Sequence, residues 1–274
     1  MSGAPRAGNR NGKLGSKNMR TCVAVAFGAL VAVVCVGTDG AKAQNVEAFL
    51  AGTSKDCPGC NLAGAKLKRR NLAGANLSGA NLTGATFHRS NLRGANFSGA
   101  DLTDANLNKT ELLQANFSRA KMKGAMLFEA EAGRVDFTGA DLTEAMMGNI
   151  RLTGGKLDRA NLTEADLSSG LLNEASFVNA TLNDANFFQT RLLRCDLRGV
   201  VGEMVEFTQA NLRDANLSSA ILRQSIFFLA DLGGADLSSA DLSQSVLRSA
   251  NLGNTKQTDT KFSGAMIPDN SIHQ

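Results

Sequence analysis

Tryptophan and tyrosine are absent from the 274 residues, and there are only three prolines and two histidines. So narrow a vocabulary does not describe an ordinary mixed core; it points to a repeat. The two histidines, His88 and His273, lie far apart in the chain. No nucleophile, base and orienting partner can be assembled around either, so no catalytic residues are assigned. Glycine is plentiful, but it recurs in stretches such as "AGANLSGA" and forms no phosphate-binding loop. No cofactor is implied. Two thiols in "CPGC", Cys57 to Cys60, with no histidine nearby, leave a tetrahedral metal site incomplete. Long apolar runs are also missing. The uncharged stretch "CVAVAFGALVAVVCVG", Cys22 to Gly37, has sixteen residues, short of the roughly 20 that span a bilayer.

That stretch has a function of its own. Residues 1–20 carry Arg6, Arg10, Lys13, Lys17 and Arg20 and no acid, and "AKA" at Ala41–Ala43 follows the apolar run. Basic, then apolar, then small-x-small is the pattern of a secretory signal peptide over residues 1–43, with the mature chain starting at Gln44. An uncleaved anchor is the alternative. The reading predicts an exported protein, periplasmic or secreted, with no stable membrane insertion after cleavage. It also changes the charge. The chain has 29 basic and 25 acidic residues; residues 1–43 hold six of the basic ones and a single acid, Asp39, which leaves 23 against 24. The mature part is near neutral, and a nucleic-acid partner is not indicated.

From Leu62 the chain can be stepped by five without a slip to Ile267, giving 42 pentapeptides. Their central residue is Leu, Phe, Met or Ile in all but three, Ala132, Gly202 and Gln257. Two residues before the centre stands Ala in 26 of the 42, and Asn or Asp often stands immediately before it. Five is neither the strand period of 2 nor the helix period of 3.6. The phenylalanines reveal a longer period. Phe87, Phe187, Phe207 and Phe227 differ by multiples of twenty, as do Phe97, Phe117, Phe137 and Phe177, and the two sets are ten residues apart. A turn of twenty residues would place them on opposite sides of a coil.

"NLAGANLSGANL", Asn71 to Leu82, resembles the pentapeptide-repeat family, A-(D/N)-L-x-x, and the resemblance covers Cys60 to Ile267. It implies an all-β fold: a right-handed quadrilateral β-helix with one pentapeptide per side and about ten coils. The central residue and the Ala two before it would point inward, the other three positions outward. A large residue alternating with Ala fills a narrow tube without voids. The domains expected are a signal peptide (1–43), an N-terminal cap segment (44–60), the repeat β-helix (61–267) and a tail (268–274). In "NVEAFLAG", Val46, Phe49 and Leu50 have helical spacing, so a short helix is expected to cover the first coil. The tail is too short for a second cap helix, which leaves the far end open to a partner. Cys57 and Cys60 lie where cap meets coil. A structural disulfide is the plain reading in an oxidising compartment, with a thiol–disulfide or metal role as alternatives. Cys195 replaces an inward Ala and is expected to be a buried free thiol.

Outward positions should be polar, and one side departs from this. Eight residues just before a centre are apolar, and Met126, Met146, Ile226, Val246 and Met266 among them share one side. The outward phenylalanines just after a centre, Phe128, Phe188 and Phe228, fall on that same side. Such a stripe suggests a contact surface; drift in a tolerant scaffold is the competing explanation. The functional expectation is a non-enzymatic exported scaffold that engages a protein partner or a second copy of itself. Two alternatives stay open. Some members of the family mimic DNA, bind type II topoisomerases and give quinolone resistance, and the Cys57/Cys60 pair could exchange disulfides.

Overall fold

The computed structural model describes residues 21–27, 30–36, 38–269 and 271–272, with side chains from Asn45 onward. The basic segment 1–20 and His273 lie outside the described residues. Two strands, β1 (Thr21–Phe27) and β2 (Leu30–Val36), pair antiparallel, Thr21 opposite Val36 and Phe27 opposite Leu30. A helix, α1 (Thr38–Ala51), follows and runs through the Ala43–Gln44 junction. It is longer than the cap helix expected from "NVEAFLAG". Its end is set by Gly52, whose φ of 79° lets the chain turn back so that the Gly52 and Thr53 amides bond Phe49 O and Ala48 O at 3.1 and 3.0 Å. Of the three apolar residues expected to cover the coil, Phe49 is fully buried and Val46 partly so, whereas Leu50 is exposed.

Beyond the cap the chain is one long ladder. Bridges join residues twenty apart in parallel, beginning Asn61↔Asn81, Lys66↔Thr86, Asn71↔Asn91 and Asn76↔Asn96. The same four columns continue to Val246↔Met266. The columns are named here after the central residues of the first coil, Leu62, Leu67, Leu72 and Leu77. In one stretch, β3 (Val201–Glu203) pairs β4 (Ile221–Arg223) over three consecutive residues. Central residues and the small residues two before them form one continuous buried core. Phe97, Phe117 and Phe137 stack at 4.7 and 5.2 Å, and Phe187, Phe207 and Phe227 stack at 5.0 Å. Between the two sets, Phe87 meets Phe97 edge-on at 5.7 Å and Phe177 meets Phe187 at 6.0 Å.

The repeat is explained by an account of its amides. In residues 82–86, Leu82 and Gly84 donate forward to Asp101 O and Thr103 O, and Thr86 donates back to Ala65 O. Ala85 closes a turn onto Leu82 O at 2.9 Å. Only the Thr83 amide is left, and the Asn81 side chain accepts it at 3.2 Å. This is the physical reason for Asn or Asp before the centre: it takes the one donor per repeat that the ladder and turn cannot. The corner, two after each centre, has φ between 53° and 75° at every position from Gly64 to Gly264. That is the left-handed region, which favours glycine, yet 29 of these corners hold another residue.

Departures from the repeat are compensated locally. Gly202 replaces a large centre, and the Val200 and Val205 that flank it replace small residues; a Cβ on Gly202 would lie 2.6 Å from Val205 Cγ2. Where Ser or Thr takes the small inward place, its hydroxyl bonds a main-chain carbonyl, as Ser90 does to Leu67 O (2.6 Å) and Thr190 to Leu167 O (2.9 Å). The last coil turns polar inside. Thr255 bonds Leu252 O, Thr260 bonds Leu237 O, and Gln257, in a central position, donates to Thr255 Oγ1 at 2.6 Å. The tail then folds back, with Ile272 antiparallel to Met266. Residues of this last coil stay largely exposed, Gln257 among them, and Ile272 is itself exposed.

Candidate interaction face

Bridges place Met126, Met146, Asp166, Asn186, Glu206, Ile226, Val246 and Met266 one above another on the Leu67 column. The apolar side chains form two groups. In the first, Met126 is half-buried, Phe128 is 39 % exposed and Met146 51 % exposed. The Phe128 ring covers Gly148 on the next coil, where a Cβ would lie 3.4 Å from Phe128 Cδ2. In the second group, Ile226, Phe228 and Val246 are half-buried, and the Arg248 guanidinium lies over the Phe228 ring at 4.6 Å. Between the groups run Asp166 and Asn186, bonded at 3.0 Å, and then Glu206. Phe188, 36 % exposed, stands alone beside this polar tract.

The structure adds two residues that the sequence reading did not single out, Met204 and Leu229, and brings in Val201 and Ile221, two of the eight apolar residues before a centre, which fell outside the stripe. Met204 and Leu229 are exposed corner residues, and Val201 and Ile221, paired in β3–β4, are exposed on the adjoining Leu62 column. The second group therefore extends around a corner. Corner positions were not compared in the sequence, and that comparison would have found Met204 and Leu229. Apolar residues before a centre also cost the turn its acceptor. Met126 has none to offer, and the Phe128 amide bonds Asn108 Oδ1 on the preceding coil instead, at 2.8 Å.

Cys57 and Cys60 are joined by a disulfide, with Cα atoms 5.4 Å apart. Both are buried. Gly59 makes a left-handed corner with φ 65°, and the Cys57 amide donates to Asn76 O. Cys57 thus occupies a central position and Cys60 a small inward one, in a repeat that begins one step earlier than Leu62. Arg70, also in an inward place, turns out to α1 and donates to Phe49 O and Leu50 O at 3.0 and 3.2 Å. Cys195 is free and buried, bonding Leu172 O at 2.9 Å, and burial pushes its thiol up to about 12.

A shallow groove beside the first apolar group is lined by Arg93, Lys109, Glu111, Glu129, Glu131 and Arg151. Its charges largely satisfy one another, Lys109 with Glu129 at 3.2 Å and Arg151 with Glu131 at 3.9 Å. Carboxylates elsewhere serve the turns. Asp101 is held below the usual carboxylate range first by the Thr103 hydroxyl at 2.7 Å, and Asp196 first by the Arg198 guanidinium. No group of His, Cys, Asp and Glu suited to a metal ion occurs among the described residues.

A pentapeptide-repeat model matches residues 60–99, 95–131, 160–199, 203–227 and 225–264, in eight copies. This chain belongs to the pentapeptide-repeat family. Solved structures of other pentapeptide-repeat proteins are similar. HetL, involved in heterocyst differentiation regulation in the cyanobacterium Nostoc sp. strain PCC 7120, is 28 % identical, with 83 % of this chain and 98 % of that one covered and a TM-score of 0.43. QnrB1, a plasmid-mediated fluoroquinolone resistance protein, is 17 % identical over 74 % of this chain and 89 % of its own, with a TM-score of 0.35. A pentapeptide-repeat protein of the Arabidopsis thaliana thylakoid lumen is 27 % identical over 56 % of this chain and 72 % of its own, with a TM-score of 0.19. A comparison with curated proteins gave no match. No described helix of this pentapeptide-repeat protein is long and apolar enough to cross a membrane.

Proposed function

We propose that this chain is a non-enzymatic, exported scaffold that binds a protein partner, or a second copy of itself, through the Leu67 column. Its repeat would form a right-handed, four-sided rod of about ten coils, and residues 1–43 would direct export. The observation that supports binding is the gathering of exposed apolar side chains on this column (Phe128, Met146, Phe188), its corners (Met204, Leu229) and the adjoining column (Val201, Ile221). Elsewhere the outward positions are mostly polar, and a soluble protein gains nothing from exposed aromatics unless something covers them. The buried state of Cys57 and Cys60 favours a structural disulfide over thiol exchange, since an exchanging pair must be reached by its partner. A DNA-mimic role would need a strongly acidic surface, and the near-neutral charge beyond residue 43 supports it poorly.

Replacing Phe188 and Phe228 by Ser tests the proposal. Sedimentation velocity and capture from the exported fraction should show that the double variant loses association while its melt stays close to wild type. Aromatic anchors at a contact can each cost about 2 kcal/mol or more when truncated. A double variant that associates like wild type would reduce the stripe to drift.

A further inference from the structure

Between Asp56 and Asp101 the chain runs 44 residues without a carboxylate, yet carries Lys66, Lys68, Arg69, Arg70, Arg89 and Arg93. Apart from Arg70, which is engaged with α1, these cations are exposed. The register gathers them. Lys66 and Lys68 flank Leu67, Arg69 and Arg89 are the two successive corners beyond it, and Arg93 follows the next centre on the second coil. Elsewhere some cations pair with acids on their own or the neighbouring coil, as Lys123 does with Glu144, Arg213 with Asp231 and Arg223 with Asp241, and those that do not, such as Arg119 and Arg159, lie in stretches that carry carboxylates. Among the described residues none of these five forms an ion pair. Asp56 is on the opposite column and accepts the Asn76 amide at 2.8 Å. Asp101 is on the Leu62 column and bonded by Thr103, and Arg93, at the edge of the set, also lines the groove that holds Glu111, Glu129 and Glu131.

We propose that these first two coils are a docking surface for an anionic phospholipid bilayer. The patch has no exposed apolar or aromatic residue at its centre, which a specific protein interface normally requires. Its single ring is the half-buried His88 beside Arg89, where binding of single-stranded nucleic acid uses successive stacking platforms. What it offers is a set of long-stemmed cations along one column and around its corner, on rungs about 4.8 Å apart. Fluid headgroups can rearrange to meet such a set, and each cation near an anionic leaflet adds to binding. The patch also lies at the end of the ladder that follows the apolar stretch Cys22–Gly37, which would be the part of the chain nearest a bilayer if residues 1–43 direct export; this one point rests on the export reading proposed above. This proposal uses different residues from the apolar stripe and does not depend on it.

The test compares two full-length variants with equal loss of charge. One removes the patch (Lys66→Ser, Lys68→Ser, Arg69→Gly, Arg89→Gly). The other removes unpaired cations from other columns (Arg119→Gly, Lys156→Ser, Arg159→Gly, Arg194→Gly). Residues 1–43 are unchanged in both, so the difference between them reads the patch. Binding is measured by co-sedimentation with vesicles of phosphatidylglycerol and phosphatidylcholine (1:3) and of phosphatidylcholine alone. About fivefold is expected per cation removed, so the patch variant should lose at least a hundredfold on the anionic vesicles and the control less than threefold. Lys68→Ser and Arg89→Gly as single changes should each show the fivefold step, which covers failure of the quadruple variant to fold. Equal losses in the two variants, or unchanged binding in the patch variant, would overturn the proposal. So would complete competition by 10 mM inorganic phosphate, which would indicate a small-anion site, or tighter binding to duplex DNA at equal phosphate.

Discussion

Phe207 is the most demanding point in the core. Its ring lies 5.0 Å from both Phe187 and Phe227, with interplanar angles of 16° and 13°, and is fully buried. Phe207→Ala would remove the middle of this stack. Truncating a buried Phe costs about 3–5 kcal/mol. Two stacked contacts are lost together, each about 0.5–1.5 kcal/mol beyond area burial, so the upper end of that range, about 4–5 kcal/mol, is expected. Phe188→Ala removes the same atoms from an outward position next to Phe187, and a surface change of this kind should stay within about 0.5 kcal/mol. Guanidinium midpoints would show the difference. Native-state hydrogen exchange adds a spatial reading. Each coil contacts only its neighbours, so the loss should be local. Amides of Phe187, Phe207 and Leu212 should lose protection while those of Leu82 and Phe97 keep theirs. If Phe188→Ala lowered the midpoint as far as Phe207→Ala, the division into inward and outward positions would be wrong.

Two further outcomes follow from the corners and the thiols. Gly99 has φ 64° and open space where a Cβ would go, whereas at Gly124 a Cβ would lie 2.5 Å from Asp104 Oδ1. Gly99→Ala should therefore cost about 1 kcal/mol from backbone conformation alone, and Gly124→Ala about the same in a parallel thermal melt, because the Asp104 carboxylate is the free end of a side chain that can turn aside; a much larger loss at Gly124 would show that Asp104 is held in place. Cys195, with its thiol pushed up to about 12, should resist iodoacetamide at pH 8 in the native protein and react fully in denaturant, by peptide mass spectrometry. In the same assay Cys57 and Cys60 should be found oxidised. Cys57→Ser should loosen mainly the first coil, by less than the roughly 2–4 kcal/mol usual for larger loops.

The period, the twenty-residue turn and the inward residues were legible in the sequence because each is a spacing between large residues. Phe87 and Phe97, ten apart, meet across the interior at 5.7 Å, as their separation implies. What could not be read depends on conformation. Nothing in the identity of Arg119 or Glu164 indicates a left-handed corner, yet both have φ near 58°. They tolerate it because the ladder and the i→i+3 turn fix the backbone whatever residue is there. The cap was legible as helical spacing, but the contact that holds it, from Arg70 to the carbonyls of Phe49 and Leu50, joins residues about twenty apart without any pattern. The candidate face was legible in part. Residues beside a centre could be sorted by column, but Met204 and Leu229 at the corners were passed over, and the reach of Arg248 over Phe228 is a matter of rotamer.

The unbroken twenty-residue register also governs how such a chain can change in length. Insert or delete five residues anywhere, and every later side chain moves to the next column while the interior stays filled. Insert or delete twenty, and each keeps its column but is raised or lowered by one rung. Duplication of a single coil would carry Phe228, Arg248 and Val246 further from Phe128 without turning them away from it. Duplication of one repeat would place them on another side altogether. Surface patterns on this ladder are therefore inherited modulo twenty, and the distance between two binding groups can vary independently of their direction.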